Sequence, residues 1–461
     1  MYCRVIVPGF PNQCLADRLH YASSVDAAEG SKPMRRQHAV LALLAMLAPL
    51  KLAAQVPPTA SADRLFEAGK FVEAQAQYTQ IAADHPRDYH AVFSLGRIAL
   101  LSNKLDVAER WLTRATTLKP DETDPRIMLA EVYYQLDDFQ KAAAALDGID
   151  VSKNQLIISQ YPVLNVALFR SFAGQTPYEL YGSGGSTIVK FLQTDPLPLV
   201  SVQINGGPDV TFFIDTGGST VTLDADFVKE LGVSQLGTVK GTFSGGQTAE
   251  VGLGRIDSIK LGRWTVHNVP IAILPLRQLD LGGGHQINGT IGTTLFYHFL
   301  ATMDYPNGQL VLRRKNMRSQ RRFIQASSDS AVVPFWIASD HFMVGWGQVE
   351  ALPPSLLFVD SGLVGAGTKL AESVIKAAGI ALEQDKAETG AGGGGTLTIV
   401  PYVVKRVSLG TVQEENVQGV FDGPFPWENS FGFFLAGMVG HEFLRPYAVT
   451  FDFEYMEIFL K

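Results

Sequence analysis

Two aspartates occupy the positions where this chain could do chemistry. Asp215 ends the apolar run Phe212-Phe213-Ile214 and is followed by Thr216-Gly217-Gly218-Ser219; Asp360 ends Leu356-Leu357-Phe358-Val359 and is followed by Ser361-Gly362. A short apolar run that stops at an Asp-Thr/Ser-Gly sequence reads as a buried strand entering a tight turn. Two such turns, 145 residues apart, predict a pair of carboxylates meeting across a two-fold relation. Carboxylates forced together cannot both carry charge cheaply, so one proton is shared and the titration belongs to the pair. One member can then act as a base on water while the other acts as an acid. The plainer role open to each Asp is to cap its own turn.

The elements that must position these groups are strands. From Pro198 the apolar alternation has period two: Leu199–Ile204, the turn Asn205-Gly206-Gly207-Pro208, and 210–214 form a hairpin that delivers Asp215. Further strands are expected at 237–243, 249–253, 255–261 and 264–274, followed by Asn288-Gly289-Thr290-Ile291-Gly292, an amphipathic stretch at 293–299, and a closing pair around Asp304-Tyr305-Pro306-Asn307-Gly308. The last third of the chain repeats this order, and its ending is the clearest match: 436–444 followed by 447–452 parallels 289–295 followed by 299–304. Asp215 to Gly292 is 77 residues and Asp360 to Gly440 is 80. The reading is mainly β, with two related lobes at 196–315 and 331–461. Between them, six of the ten residues 313–322 are basic (Arg313, Arg314, Lys315, Arg318, Arg321, Arg322), and 316–330 is expected to be a solvated linker.

Ahead of the lobes the period changes to 34. Gly69, Asn103 and Asp137 share one phase, Phe71, Leu105 and Phe139 a second, Ala74, Ala108 and Ala142 a third, and Tyr78, Leu112 and Leu146 a fourth. With Leu95-Gly96 and Leu129-Ala130 as close-packing pairs and Pro86 and Pro120 as helix stops, 60–154 resembles tetratricopeptide repeats. The resemblance implies an α-helical solenoid with a surface for a protein partner; the repeats could equally cap the following domain, since fewer than three clean repeats are at the limit of independent stability. Residues 155–195 are read as a connector, with helical signal broken at Pro162 and a flexible Tyr181-Gly182-Ser183-Gly184-Gly185-Ser186 stretch.

Taken together, 196–461 resembles the aspartic peptidases, both the tandem retropepsin-like form and the bilobal pepsin-like form. The residues that carry this are Asp215-Thr216-Gly217-Gly218-Ser219, Thr290-Ile291-Gly292 and the Met303–Gly308 segment, repeated more plainly around Asp360. The resemblance implies pepsin-like, closed-barrel lobes and hydrolysis of peptide bonds by a water held between Asp215 and Asp360. It implies that Thr216 and Ser361 reach across to the partner turn and that Ser219 bonds the outer oxygen of Asp215. Val364 stands at the position equivalent to Ser219 and departs from the pattern. Gly217 and Gly362 allow backbone amides to approach the carboxylates. Glycine-rich hairpins at Thr242, Phe243, Ser244 and Gly245, and at 389–395, are the candidate flaps.

Composition excludes several alternatives. A net charge of −7 gives no basic footprint for nucleic acid. No H-E-x-x-H spacing occurs, His441 and Glu442 would point apart on a helix, and Gly392–Gly395 lacks the Lys-Ser/Thr of a phosphate loop, so no metal or cofactor is expected. Met34-Arg35-Arg36-Gln37-His38 before the apolar stretch 39–50 has the form of a secretory signal, with Met34 the expected start and 1–54 an upstream extension plus signal. Its apolar stretch falls short of the ~20 residues needed to span a bilayer. An exported, periplasmic or secreted product without an integral membrane span follows. Both cysteines, Cys3 and Cys14, lie in that leading part, so thiol chemistry is excluded from the remainder. The function expected is an aspartic endopeptidase acting on a peptide or protein substrate. The alternative is a weak or inactive peptide-binding scaffold, motivated by Val364.

Overall fold

The computed structural model describes residues 58–279 and 281–461; the expected signal segment lies outside the described residues. Three consecutive helix pairs come first: Ala60–Glu67 with Phe71–Asp84, Tyr89–Leu101 with Leu105–Leu118, and Asp124–Gln135 with Phe139–Ala145. Small residues let the helices close on each other. A side chain at Gly96 would overlap Leu112, and Ala74, Ala108 and Ala142 are fully buried. The residues that recur as Gly69, Asn103 and Asp137 make the turn within each pair, at φ of 73°, 53° and 58°, a region open to Gly and Asn/Asp.

The same three turns dock the helices on the β-structure. Gly69 lies against Leu356, Asn103 Nδ2 donates to Phe453 O at 2.7 Å, Asn103 Oδ1 accepts from the Tyr297 hydroxyl at 2.6 Å, and Asp137 pairs with His298 at 3.0 Å. Phe66 and Phe71 meet Phe433 edge-on, and Phe71 meets Trp336 in the same way. Such contacts contribute about 0.5–1.5 kcal/mol each beyond area burial. Helices and strands share one hydrophobic core, so the repeats form part of the β-body's packing.

The β-region has two lobes of one topology. In the first, Asp209–Ile214 runs parallel to Ile287–Ile291, while Val221–Asp224 runs parallel to Trp264–Leu274 and antiparallel to Ile287–Ile291. In the second, Ser355–Val359 is parallel to Leu435–Val439, and Thr368–Leu370 is parallel to Val412–Phe421 and antiparallel to Leu435–Val439. Both aspartates thus leave a strand buried on two sides. The lobes are not separate closed barrels. They share a six-stranded antiparallel sheet in the order Ser186–Gln193, Gln309–Arg314, Phe299–Asp304, Ala448–Asp452, Glu457–Leu460, Ala331–Ala338. At its centre Thr302 faces Thr450, hydroxyl to hydroxyl at 2.6 Å, on the pseudo-two-fold.

Two segments differ from their expected roles. Ser186–Gln193 is the edge strand of the shared sheet, equivalent to Ala331–Ala338, so the first lobe starts inside the stretch read as a connector. Its glycines are not merely flexible: a side chain at Gly182 would overlap Trp264. The basic join is a strand end followed by the helix Met317–Ala326, capped by Asn316, rather than a solvated linker. Arg313 donates to Thr302 Oγ1 at 2.7 Å and Lys315 to Tyr297 O at 3.2 Å, leaving Arg318, Arg321 and Arg322 exposed. No described helix is long and apolar enough to cross a membrane.

Candidate active site

The two aspartate turns are tied to each other by side chains placed one residue beyond each carboxylate. Thr216 Oγ1 accepts from Ser361 N at 2.9 Å and donates to Val359 O at 3.1 Å. Ser361 Oγ accepts from Thr216 N at 3.0 Å and donates to Ile214 O at 3.3 Å. Both hydroxyls are fully buried, so each satisfies backbone groups that would otherwise be stranded. The interlock brings Asp215 and Asp360 face to face. Glycine is required beside them, because a side chain at Gly217 would overlap the Asp360 carboxyl and one at Gly362 would overlap that of Asp215.

The electrostatics separate the two members. Asp215 Oδ1 accepts from Gly217 N at 2.9 Å and Gly218 N at 3.1 Å, while Asp360 Oδ1 accepts from Gly362 N at 2.8 Å. Both aspartates are half-buried. Burial raises the pKa of Asp215, opposed by the Gly217 amide, by His341 and by Gly218. Burial and then the charge of Asp215 push Asp360 up to about 8. The contact between the carboxyls acts in opposite directions on them, lowering Asp215 and raising Asp360.

Ser219 is not on Asp215. Its hydroxyl donates to Asp340, a 3% exposed residue of the second lobe that the sequence did not single out. The first turn is further held by Thr293, whose Oγ1 donates to Thr216 O at 2.8 Å and whose amide donates to Gly218 O at 3.0 Å. Behind it the Tyr178 hydroxyl lies 3.2 Å from Thr294 Oγ1. Thr293 follows Gly292 directly and could have been flagged by that motif; Tyr178, Asp340 and His341 carry no local signal.

The first candidate flap is the tip between Gln235–Thr242 and Thr248–Leu261, containing Phe243, Ser244 and Gly245 next to Thr242. The hairpin Glu388–Gly392 with Gly395–Leu409 lies opposite in the second lobe. The tips touch. Gln247 Nε2 donates to Thr396 O at 2.7 Å, and side chains at Gly393 or Gly394 would overlap Phe243 or Gln247. Ser244 Oγ accepts from Lys369 Nζ at 2.5 Å, and Lys369 pairs with Asp422. Lys369 is almost fully buried, its pKa drawn down by burial and supported by Asp422 and, more weakly, Asp360. A latch of opposite charges and a hydroxyl therefore ties the first flap tip to the second lobe.

One group among the described residues has metal-ligand side chains: Asp195, His441 and Glu442. Arg445 bonds both carboxylates at 3.0 Å, so this chain supplies the cation itself.

Residues 200–295 match the family model described as aspartyl protease, and 59–123 match a tetratricopeptide repeat model. The chain therefore carries an aspartyl protease-like domain, which includes Asp215, behind a tetratricopeptide region. Among solved structures, a retropepsin-like aspartic protease from Rickettsia conorii is 17% identical over 30% of this chain and 95% of that one, with a TM-score of 0.21. Comparison with curated proteins finds no match.

Proposed function

We propose that this chain is an aspartic peptidase that cleaves peptide bonds with a water activated by Asp215 and Asp360. The observation that supports it most is the reciprocal Thr216–Ser361 interlock, which sets each aspartate turn against the other's carboxyl. Asp215, with two amide donors, is the ionised base that takes a proton from the attacking water. Asp360 holds the proton, polarises the scissile carbonyl and then serves the leaving amine. No covalent intermediate is required. An extended peptide would lie between the dyad and the flap tips, which must part to admit it. The tetratricopeptide region brings a capacity for protein interaction, and the 34–54 segment supports export to the periplasm or medium; the N-terminal mass of the secreted protein tests the latter.

The non-catalytic reading rested on Val364. With Ser219 engaged by Asp340, neither turn places a hydroxyl on its carboxylate from that position, so Val364 differs from Ser219 in lacking a tether to the other lobe and not in a bond to the aspartate. The deciding experiment is cleavage of an unfolded protein and a peptide library across acidic to neutral pH, with Asp215→Asn and Asp360→Asn beside the wild type. Turnover that survives both substitutions would rule the reading out.

A further inference from the structure

A buried line of polar groups runs from the helical repeats to the first aspartate turn. It starts at Glu131, fully buried on the helix Asp124–Gln135, whose Oε1 accepts from Gln135 Nε2 at 2.7 Å. Gln135 Nε2 also reaches Ser339 O at 3.4 Å, and Ser339 Oγ donates to Gln160 O at the end of the helix Gln155–Gln160. Ser339 is thereby held at φ 54°, an uncommon conformation for a residue with a side chain. The next residue, Asp340, accepts on Oδ1 from His341 Nδ1 at 2.6 Å and on Oδ2 from Ser219 Oγ, with the Ser339 hydroxyl, whose proton goes to Gln160 O, 3.2 Å from Oδ1. A carboxyl that accepts on both oxygens is in its ionised form. The pKa of Glu131 is pushed upward, first by burial and then by the Asp340 charge. The charged and titratable groups around Asp340 are His341 on its own turn, and Glu131, Tyr134 and Tyr161 from the helical region.

We infer that Asp340 is a positioning residue for Asp215, and that the helical repeats hold it in place through Ser339. Asp340 fixes Ser219, the residue that follows the turn closed by the Gly218 amide on Asp215. It also anchors His341, whose charge lowers Asp215 when the imidazole is protonated. The repeats are on this view part of the peptidase's catalytic geometry. The inference rests on the peptidase reading above.

The test measures kcat and KM against pH for a cleavable peptide, with thermal melts to establish folding. Asp340→Ala and Ser219→Ala each lower kcat about ten- to a hundredfold with KM little changed, the cost of a small misplacement of a reacting group. The double variant is no worse than the poorer single one, because the two share one bond. Asp340→Asn keeps an acceptor for Ser219 and recovers part of the loss. His341→Gln moves the acidic limb to higher pH, because Asp215 loses a neighbouring positive charge. Should Asp340→Ala fail to fold, Asp340→Asn, Ser219→Ala and His341→Gln decide. Folded variants with wild-type kcat and an unmoved acidic limb overturn the inference and leave the peptidase reading standing; a wild type that cleaves nothing overturns both.

Discussion

The turns at Asp215 and Asp360 follow one backbone course, yet different groups hold them. The first receives two amides on its carboxylate, a hydroxyl and an amide from Thr293, and a tether from Ser219 to Asp340. The second receives one amide on Oδ1. Its Val364 is 46% exposed, and His441, in the place of Thr293, faces Asp195 instead. In a symmetric pair the proton could sit on either carboxyl. Here the surroundings differ, and burial together with the charge of Asp215 raises Asp360. The lesson is that two copies of one motif can sit in unlike surroundings, which separates their carboxyls electrostatically.

The strongest way to break this comparison is to neutralise each side. Asp215→Asn and Asp360→Asn should each lower kcat for peptide cleavage by roughly 10²–10⁴-fold, the usual worth of a positioned acid or base. A large loss in only one of them would show that the turns do not work as a pair. Next in size, Gly217→Ala and Gly362→Ala should each cost about a hundredfold in kcat/KM, because each added methyl enters the opposite carboxyl.

The interlock offers a test in stability. Thr216→Val and Ser361→Ala each strand buried backbone groups and should cost about 1–3 kcal/mol in denaturant unfolding. Equal costs would fit the reciprocal geometry. The dyad also has a stability signature of opposite sign. A carboxyl whose folded pKa is raised binds protons more tightly when folded, so stability falls as pH rises from its unfolded value towards its folded one. For Asp360 that window runs from near 4 to about 8. Asp360→Asn should therefore be more stable than wild type at neutral pH, by at least about 1 kcal/mol, and equal to it in strong acid. In activity, the basic limb belongs to Asp360 and should lie above that of an ordinary carboxyl. The smallest effect expected is at the first flap tip: Ser244→Ala loosens the Lys369 latch and should speed peptide association roughly two- to tenfold in stopped-flow.

Much of this was legible in the chain. The 34-residue period located the helix pairs, and the 77 and 80 residue spacings located two equivalent lobes, because helix stacking and strand pairing repeat at fixed chain lengths. The interlocking hydroxyls of Thr216 and Ser361 could be named because they adjoin the aspartates. The basic run at 313–322 misled, since charge density records side-chain type and not whether Arg313 and Lys315 find carbonyls and hydroxyls to bond. The glycines at 182–185 misled in the same way, by suggesting freedom where Trp264 demands space.

The sequence by itself determined that two strand-borne aspartates would meet, that glycines and hydroxyls would flank them, and that paired helices would precede them. These follow from local patterns, in which the residue and its role are a few positions apart. Tertiary structure alone decided that Ser219 bonds Asp340 rather than Asp215, that Ser186–Gln193 joins a shared sheet, and that Asn103 and Asp137 anchor the repeats to the β-body. The physical reason is that a buried polar group takes whichever partner the fold brings within about 3 Å, and partners more than a hundred residues away leave no mark on the spacing around either one.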